Sequence, residues 1–299
     1  MELALVAGLY LLYTGSRLLA NSDVSAALGR ARELLHLESG AGLAWEHATN
    51  VWFAAHDTIG VIASFWYSSA HYVVTAAVLV WLYTRGREVY LPARRALAAA
   101  TVVGLGFYLL LPTAPPRMLG GFVDVLSQHA SVGWWGADAS APKGLGGLTN
   151  ELAAFPSLHA GWSLWVAIAV MTATRNRLAR ALGWAYAAAT AVVVVGTANH
   201  WTLDVLVGWL VALVGWAVAI EIGRLRHRRH PAESAVIPAE SAVVSVESAA
   251  VTVQLPDSAV RTTDSAATTT DSAVPATDSA AAGGIRSGRP APSPRAGRP

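Results

Sequence analysis

The feature that most constrains this chain is where its apolar residues fall. They gather in six blocks, at roughly 1–20, 58–83, 94–112, 156–174, 180–198 and 201–223. A helix needs about 20 consecutive apolar residues to cross a bilayer core, and all the blocks but the first approach or reach that length. Charged residues make up only 13% of the 299, against about a quarter in a soluble domain. The reading is an all-α polytopic membrane protein of about six transmembrane helices. With no cysteine, disulfides and thiolate metal sites are excluded. Most of the twelve tryptophans stand near block ends, as an aromatic belt requires.

The first block is interrupted by Arg17 and has no basic segment before it. It reads as a short first span with Arg17 snorkelling to the interface rather than a signal peptide. Residues 22–50 mix charges with leucines at helical spacing and predict a pair of interfacial amphipathic helices broken at Gly40. From residue 231 the chain turns to imperfect Ser-Ala repeats with Glu, Asp, Thr and Pro, too poor in large side chains to offset ordering entropy. The chain therefore divides into 1–57, the first span and interfacial helices; 58–230, a catalytic membrane domain; and 231–299, a disordered tail.

The net charge of +2 matters less than its distribution. Arg85, Arg87, Arg94 and Arg95 join blocks two and three, Arg175, Arg177 and Arg180 join four and five, and Arg224, Arg226, Arg228 and Arg229 follow six. By the positive-inside rule these regions and the tail are cytoplasmic. The long connection 113–155, with only Arg117 and Lys143, is then outside, as is the turn at 199–200. The expected location is the cell membrane, multi-pass, with a site on the extracytoplasmic face.

Three polar clusters punctuate the apolar blocks: "PTAPPRM" (112–118), "FPSLHAG" (155–161) and "ANHWTLD" (198–204). The separation of His159 and His200 is one span down and the next span up, so both return to one face. Arg117, Ser157, His159, His200 and Asp204 can therefore share an outer-leaflet pocket. Asp204 lies four residues after His200, one helical turn away, and a carboxylate there orients the ring and stabilises its cation. His200 suits a nucleophile or base. His159 lacks such a partner and suits a proton donor to a leaving group. Pro156 is favoured at a first helical position, and the amides of that turn can hold an anion. Ser157 adds a hydroxyl and Arg117 a bidentate cation. Two histidines in an anion cradle ask for a phosphate ester, in-line displacement and a phosphohistidine intermediate. Ionisable side chains at membrane depth default to function. "GLGG" at 144–147 lacks the lysine of a P-loop and reads as a flexible lid.

These residues resemble a known family. "PSLH" followed by "HWTLD" is similar to the second and third motifs of the type 2 phosphatidic acid phosphatase (PAP2) superfamily, and "PTAPPR" to its first motif. The resemblance covers about residues 60–223 and runs closest to the inositol-phosphotransferase-like branch. It implies a PAP2-type core of six helices, no metal and no cofactor. It also implies His200 as nucleophile, His159 as general acid, Asp204 orienting His200, and Arg117 and Ser157 binding phosphate. The superfamily's first-motif lysine falls at Leu110 and its third-motif arginine at Val194. Other donors must then complete the cradle: the backbone around Leu158 and Asn199, and the mid-span His71 with Tyr67 one turn before it. Two readings stand for His71, facing the pocket or bonding to a neighbouring helix.

The leading expectation is a lipid-phosphate phosphatase or phosphotransferase whose partners are its lipid substrate and the membrane, with no nucleic acid. Water as acceptor makes it a phosphatase; inositol or a sugar makes it a transferase. Two other classes compete: a haem-binding protein using paired histidines, and a non-catalytic membrane scaffold. The lipid, the oligomeric state and the role of the tail are not legible in the residues.

Overall fold

The computed structural model describes residues 8, 11–15, 23–135 and 150–229. Most of the first apolar block, with Arg17, lies outside them, as do Lys143, the "GLGG" segment and the tail from 231. Among the described residues the elements are helices, joined by one isolated parallel bridge between Thr113 and Ala153.

Helix α1 (Val24–Gly40) starts where the Asp23 side chain accepts from the Ala26 amide at 3.0 Å, a cap that supplies one of the missing helical partners. It stops at Gly40, and Gly42 turns the chain at φ +70° into α2 (Glu46–Ala55). The expected helix pair is therefore present, with its break where the sequence put it. Next come α3 (Asp57–Phe65), one π turn (Trp66–Ala70) and α4 (His71–Arg85), a continuous apolar run of 29 residues. Gly86 at φ +110° ends it, and α5 (Arg87–Leu110) returns. A 3-10 turn (Pro116–Met118) and the short α6 (Val125–Gln128) precede α7 (Leu158–Ala173), α8 (Arg177–Gly196) and α9 (Thr202–Arg229).

Among the described residues, four runs are long and apolar enough to cross a membrane: Asp57–Arg85, Arg87–Leu110, Arg177–Gly196 and Thr202–Leu225. They correspond to blocks two, three, five and six. Block four is α7, whose 16 residues span about 24 Å, less than the roughly 30 Å of a hydrocarbon core. It makes up for its length by position, lying against α4, α5, α8 and α9. Trp165 is fully buried there and donates its indole N–H to the Ala93 carbonyl at 2.8 Å. Val73 and Val80 on α4, Leu178 and Leu182 on α8, and Leu210 and Leu213 on α9 stay exposed. On a soluble surface they would form a large apolar patch; here they suit acyl chains.

Small residues set the closest approaches between helices. Gly161 of α7 faces Gly208 of α9 so tightly that a Cβ on Gly208 would stand 2.1 Å from the Ser157 carbonyl oxygen. Lipid tails are as apolar as leucine, so helices in a bilayer gain from backbone proximity of this kind rather than from hydrophobic burial. Arg180 closes the other end of α7, donating to the Thr174 and Met171 carbonyls at 2.8 and 3.0 Å.

Candidate active site

The last turn of α8 builds the first half of the site. After Gly196 the chain passes through Ala198 at φ +56°, a left-handed conformation uncommon for a residue with a Cβ. The Asn199 and His200 amides both donate back to the Val194 carbonyl, at 3.2 and 3.1 Å. This reversal ends before α9 begins at Thr202, so His200 stands off the helix, not on it as the four-residue spacing suggested. The expected proximity survives: His200 Nδ1 lies 3.4 Å from Asp204 Oδ2. The closer partner of that nitrogen is the Ala154 carbonyl, at 2.8 Å. A carbonyl only accepts, so the proton sits on Nδ1 and the lone pair on Nε2. Nε2 is buried and has no partner among the described residues. The tautomer is thus set by a backbone carbonyl, with the Asp204 carboxyl as a second, longer contact, whereas the sequence pointed to Asp204 alone. Burial pushes the His200 imidazole down to about 3; the Ala154 bond opposes this and the Arg117 charge adds to it. The ring is neutral at physiological pH, with an unprotonated Nε2.

Ala154 is held by the loop that carries the arginine. Thr113 donates to the Leu152 carbonyl at 2.7 Å and accepts from the Ala154 amide at 3.2 Å. The loop is pinned in turn by α1, since Arg30 donates to the Pro112 carbonyl at 2.6 Å. Trp201, fully buried, donates to the Ala114 carbonyl at 3.0 Å. Arg117 donates its amide to the Ala198 carbonyl at 2.9 Å and its Nη1 to Asn199 Oδ1 at 2.7 Å, while Nε faces Asp124 at 3.5 Å. Two polar partners from different segments hold the guanidinium beside the His200 turn.

Helix α7 supplies the second half. Ser157 is its N-cap, accepting from the Ala160 amide at 3.3 Å, and its own amide donates to the Asp204 carbonyl at 2.9 Å. Pro156 therefore sits one residue before the cap rather than at the first helical position, and its carbonyl accepts from Tyr108 Oη at 2.9 Å. The Tyr108 hydroxyl in turn accepts from the Leu158 amide at 3.4 Å. The expectation that backbone amides at Leu158 and Asn199 wait for an anion is not met, because both have protein partners. Asn199 contributes through its side chain instead, by orienting Arg117.

His159 lies in a group of aromatic rings. Its centroid is 5.5 Å from that of His200, 4.1 Å from His71, and 4.3 Å from Tyr67, on which it stacks. The His71 ring packs against His159 and Trp162 of α7. Tyr67 lies within the π turn and His71 directly follows it, a distortion that occurs mostly at functional sites.

Of the nine residues expected at the site, seven lie around the ends of α5, α7, α8 and α9 opposite the arginine-rich ends, and Tyr67 and His71 lie mid-run at the π turn, against His159. Sequence reasoning missed five others. Asp124 and Tyr108 carried no pattern. Glu38, Glu46 and Asn50 looked like the polar face of an interfacial helix pair, yet all three are buried. Asn50 clasps the Val123 and Gly196 carbonyls at 2.9 and 3.0 Å. Glu38 and Glu46 cap α9: the Leu203 amide donates to Glu38 at 2.6 Å and the Thr202 amide to Glu46 at 3.1 Å. The Trp201 amide donates to Asp204 at 2.8 Å. The start of α9, which would attract an anion, is therefore already filled by carboxylates.

None of the curated proteins matches the chain, and no solved structure does. A sequence model of the PAP2 superfamily matches residues 32–218, which takes in every site residue named above, the α1 and α2 carboxylates included. Membership supports a phosphatase- or phosphotransferase-type function. A neutral, anchored His200 beside a second histidine and a held arginine is consistent with that function, and over well more than half its length the chain belongs to the PAP2 superfamily.

Proposed function

We propose that this protein is a membrane lipid-phosphate phosphatase or phosphotransferase working through a phosphohistidine on His200. One observation carries the reading: His200 Nε2 is buried, unprotonated and unpartnered, with Nδ1 tied to the Ala154 carbonyl. A nucleophile needs a free lone pair and a fixed ring, and this arrangement supplies both.

The steps follow from the surrounding groups. The phosphate binds against Arg117, which Asn199 and Asp124 hold in orientation, and against the Ser157 hydroxyl. Nε2 attacks phosphorus in line as the P–O bond to the leaving oxygen breaks. His159 gives that oxygen its proton, and the negative charge of the bound phosphate favours the protonated ring beforehand. Asp204, 3.4 Å from Nδ1, stabilises the charge that His200 acquires. In the second half, His159 takes a proton from water or an alcohol, which attacks the phosphohistidine and releases the phosphoryl group to the acceptor. Tyr67 and His71 pack against His159 and fix its plane. The arginine-rich ends of the helices support an orientation with this site on the extracytoplasmic side.

The test is a panel of lipid phosphates assayed in chelator, with and without inositol, on the wild type and on His200→Ala and His159→Ala. Both variants should fold and lose turnover, the second by about 10²–10⁴-fold, the usual share of a general acid. Transfer of label to inositol would identify the transferase branch, and release of phosphate alone the phosphatase. Full turnover in both variants would refute the mechanism.

A further inference from the structure

We propose that Glu38 and Glu46 are positioning residues for the His200–Asp204 pair, forming with Asp204 a three-carboxylate cap on the first turn of α9. The proposal rests on the reading of His200 as the nucleophile. Three successive amides, at Trp201, Thr202 and Leu203, each go to a different carboxylate: Asp204 of α9 itself, Glu46 of α2 and Glu38 of α1. The Thr202 hydroxyl adds a second, short bond to Glu46. All three acids are almost completely buried. A single cap satisfies only one of the orphan amides of a helix start; here two more acids, reaching in from separate helices, take the next two and tie α9 to α1 and α2.

They fix where α9 begins relative to everything else. Asp204 spends Oδ2 on both the Trp201 amide and the His200 ring. If Thr202 and Leu203 lost their external acceptors, their amides would compete for that same carboxylate, the acid of their own turn. Glu46 and Glu38 remove the competition and leave Asp204 facing His200.

The second observation is a mismatch. Glu38 Oε2 and Glu46 Oε2 are both buried without a donor among the described residues, and Glu46 is close enough to act on the Glu38 carboxyl. Two like charges sharing a buried site do not both ionise, so we assign the pair a shared proton. Burial, with the nearby Glu46 and Asp204 charges adding to it and the Leu203 bond opposing, pushes Glu38 up to about 8. Glu38 therefore still holds its proton at neutral pH.

This makes an unusual prediction about amides. In Glu46→Gln the new N–H₂ takes the place of the shared proton and Oε1 still accepts from Thr202; Glu38→Gln does the same from the other side. Each single variant should phosphorylate His200 within threefold of the wild-type rate. The double variant sets two N–H₂ groups against each other and should lose tenfold or more, with the dependence on lipid concentration unchanged. Glu46→Asp, which keeps the charge but withdraws the acceptor from the Thr202 amide, should be slowed as well. The readout is the rate of phosphohistidine formation with a ³²P-labelled lipid phosphate, on protein checked by size exclusion in detergent. Additive effects of the two glutamines, a tenfold loss in either alone, or a wild-type rate in Glu46→Asp would overturn the proposal. Absence of label on His200 in the wild type would instead overturn the mechanism beneath it.

Discussion

Substituting Gly208 with alanine tests whether the two halves of the site depend on a close helix crossing. The added Cβ would stand 2.1 Å from the Ser157 carbonyl oxygen, whereas ordinary van der Waals contact begins at 3.4 Å. Both sides of the contact are backbone, so no rotamer change relieves it, and α9 must move from α7 by about 1.3 Å. That shift would stretch the 2.9 Å bond from the Ser157 amide to the Asp204 carbonyl beyond bonding distance. It would also part His159, on α7, from the His200–Asp204 pair. A misplacement of about 1 Å at reacting groups costs roughly 10²-fold in rate, and overpacking of this kind costs about 1–3 kcal/mol of stability. The assay is phosphate release from a lipid phosphate in detergent micelles, with folding followed by size exclusion and thermal melting. Gly208→Ala should keep its fold, lose about 100-fold in kcat and change little in KM. Gly161→Ala, whose Cβ would meet the Gly208 carbonyl at 2.8 Å, should fall between that and the wild type. Gly223→Ala, with nothing within 4 Å, should match the wild type. Activity of Gly208→Ala within threefold of the wild type would show that the crossing does not position the site.

Arg117→Lys should lose about 10–100-fold in kcat/KM for a lipid phosphate, because an ammonium does not present the planar fork that Asn199 and Asp124 hold; a wild-type value would remove Arg117 from phosphate binding. Tyr108→Phe leaves the buried Pro156 carbonyl without its donor and should cost about 1–3 kcal/mol, read as a lower midpoint of thermal unfolding. Glu38 is raised from an ordinary carboxyl value to about 8 by burial, facing Glu46 and Asp204 from α2 and α9. The folded protein therefore binds a proton the unfolded chain has released, and stability should fall as pH rises toward and through 8. The depressed His200 acts in the opposite direction, but only below its ordinary value near 6.5, so between pH 6.5 and 8.5 the Glu38 effect stands alone of the two. Thermal melts of the wild type should decline across that window, and those of Glu38→Gln should be flatter.

Much of the site was legible because its chemistry uses residue types that are costly in an apolar helix. His159, His200, Asp204 and Arg117 stand out against leucine and valine, and their spacing implied a common face. The same logic failed in residues 22–50, where Glu38 and Glu46 sit among leucines at a density normal for an amphipathic surface. Nothing local separates an acid that faces water from one that caps a distant helix. The free amides expected at Leu158 and Asn199 failed for a related reason. The Tyr108 hydroxyl reaches Leu158 across 50 residues, and the turn through Ala198 returns the Asn199 amide to Val194.

Residue pattern along the chain was enough for the helical architecture, the break at Gly40 and the polar clusters at the ends of the apolar blocks. Each of these depends on composition and period, which are properties of neighbours along the chain. Tertiary structure alone decided which atom of His200 is free, since that depends on a carbonyl 46 residues away. It also decided which of the 26 glycines bring helices together, and that two acids near the start of the chain close over the helix of Asp204. Those outcomes depend on distances between segments, and a pattern of residue types does not encode a distance until the helices have packed.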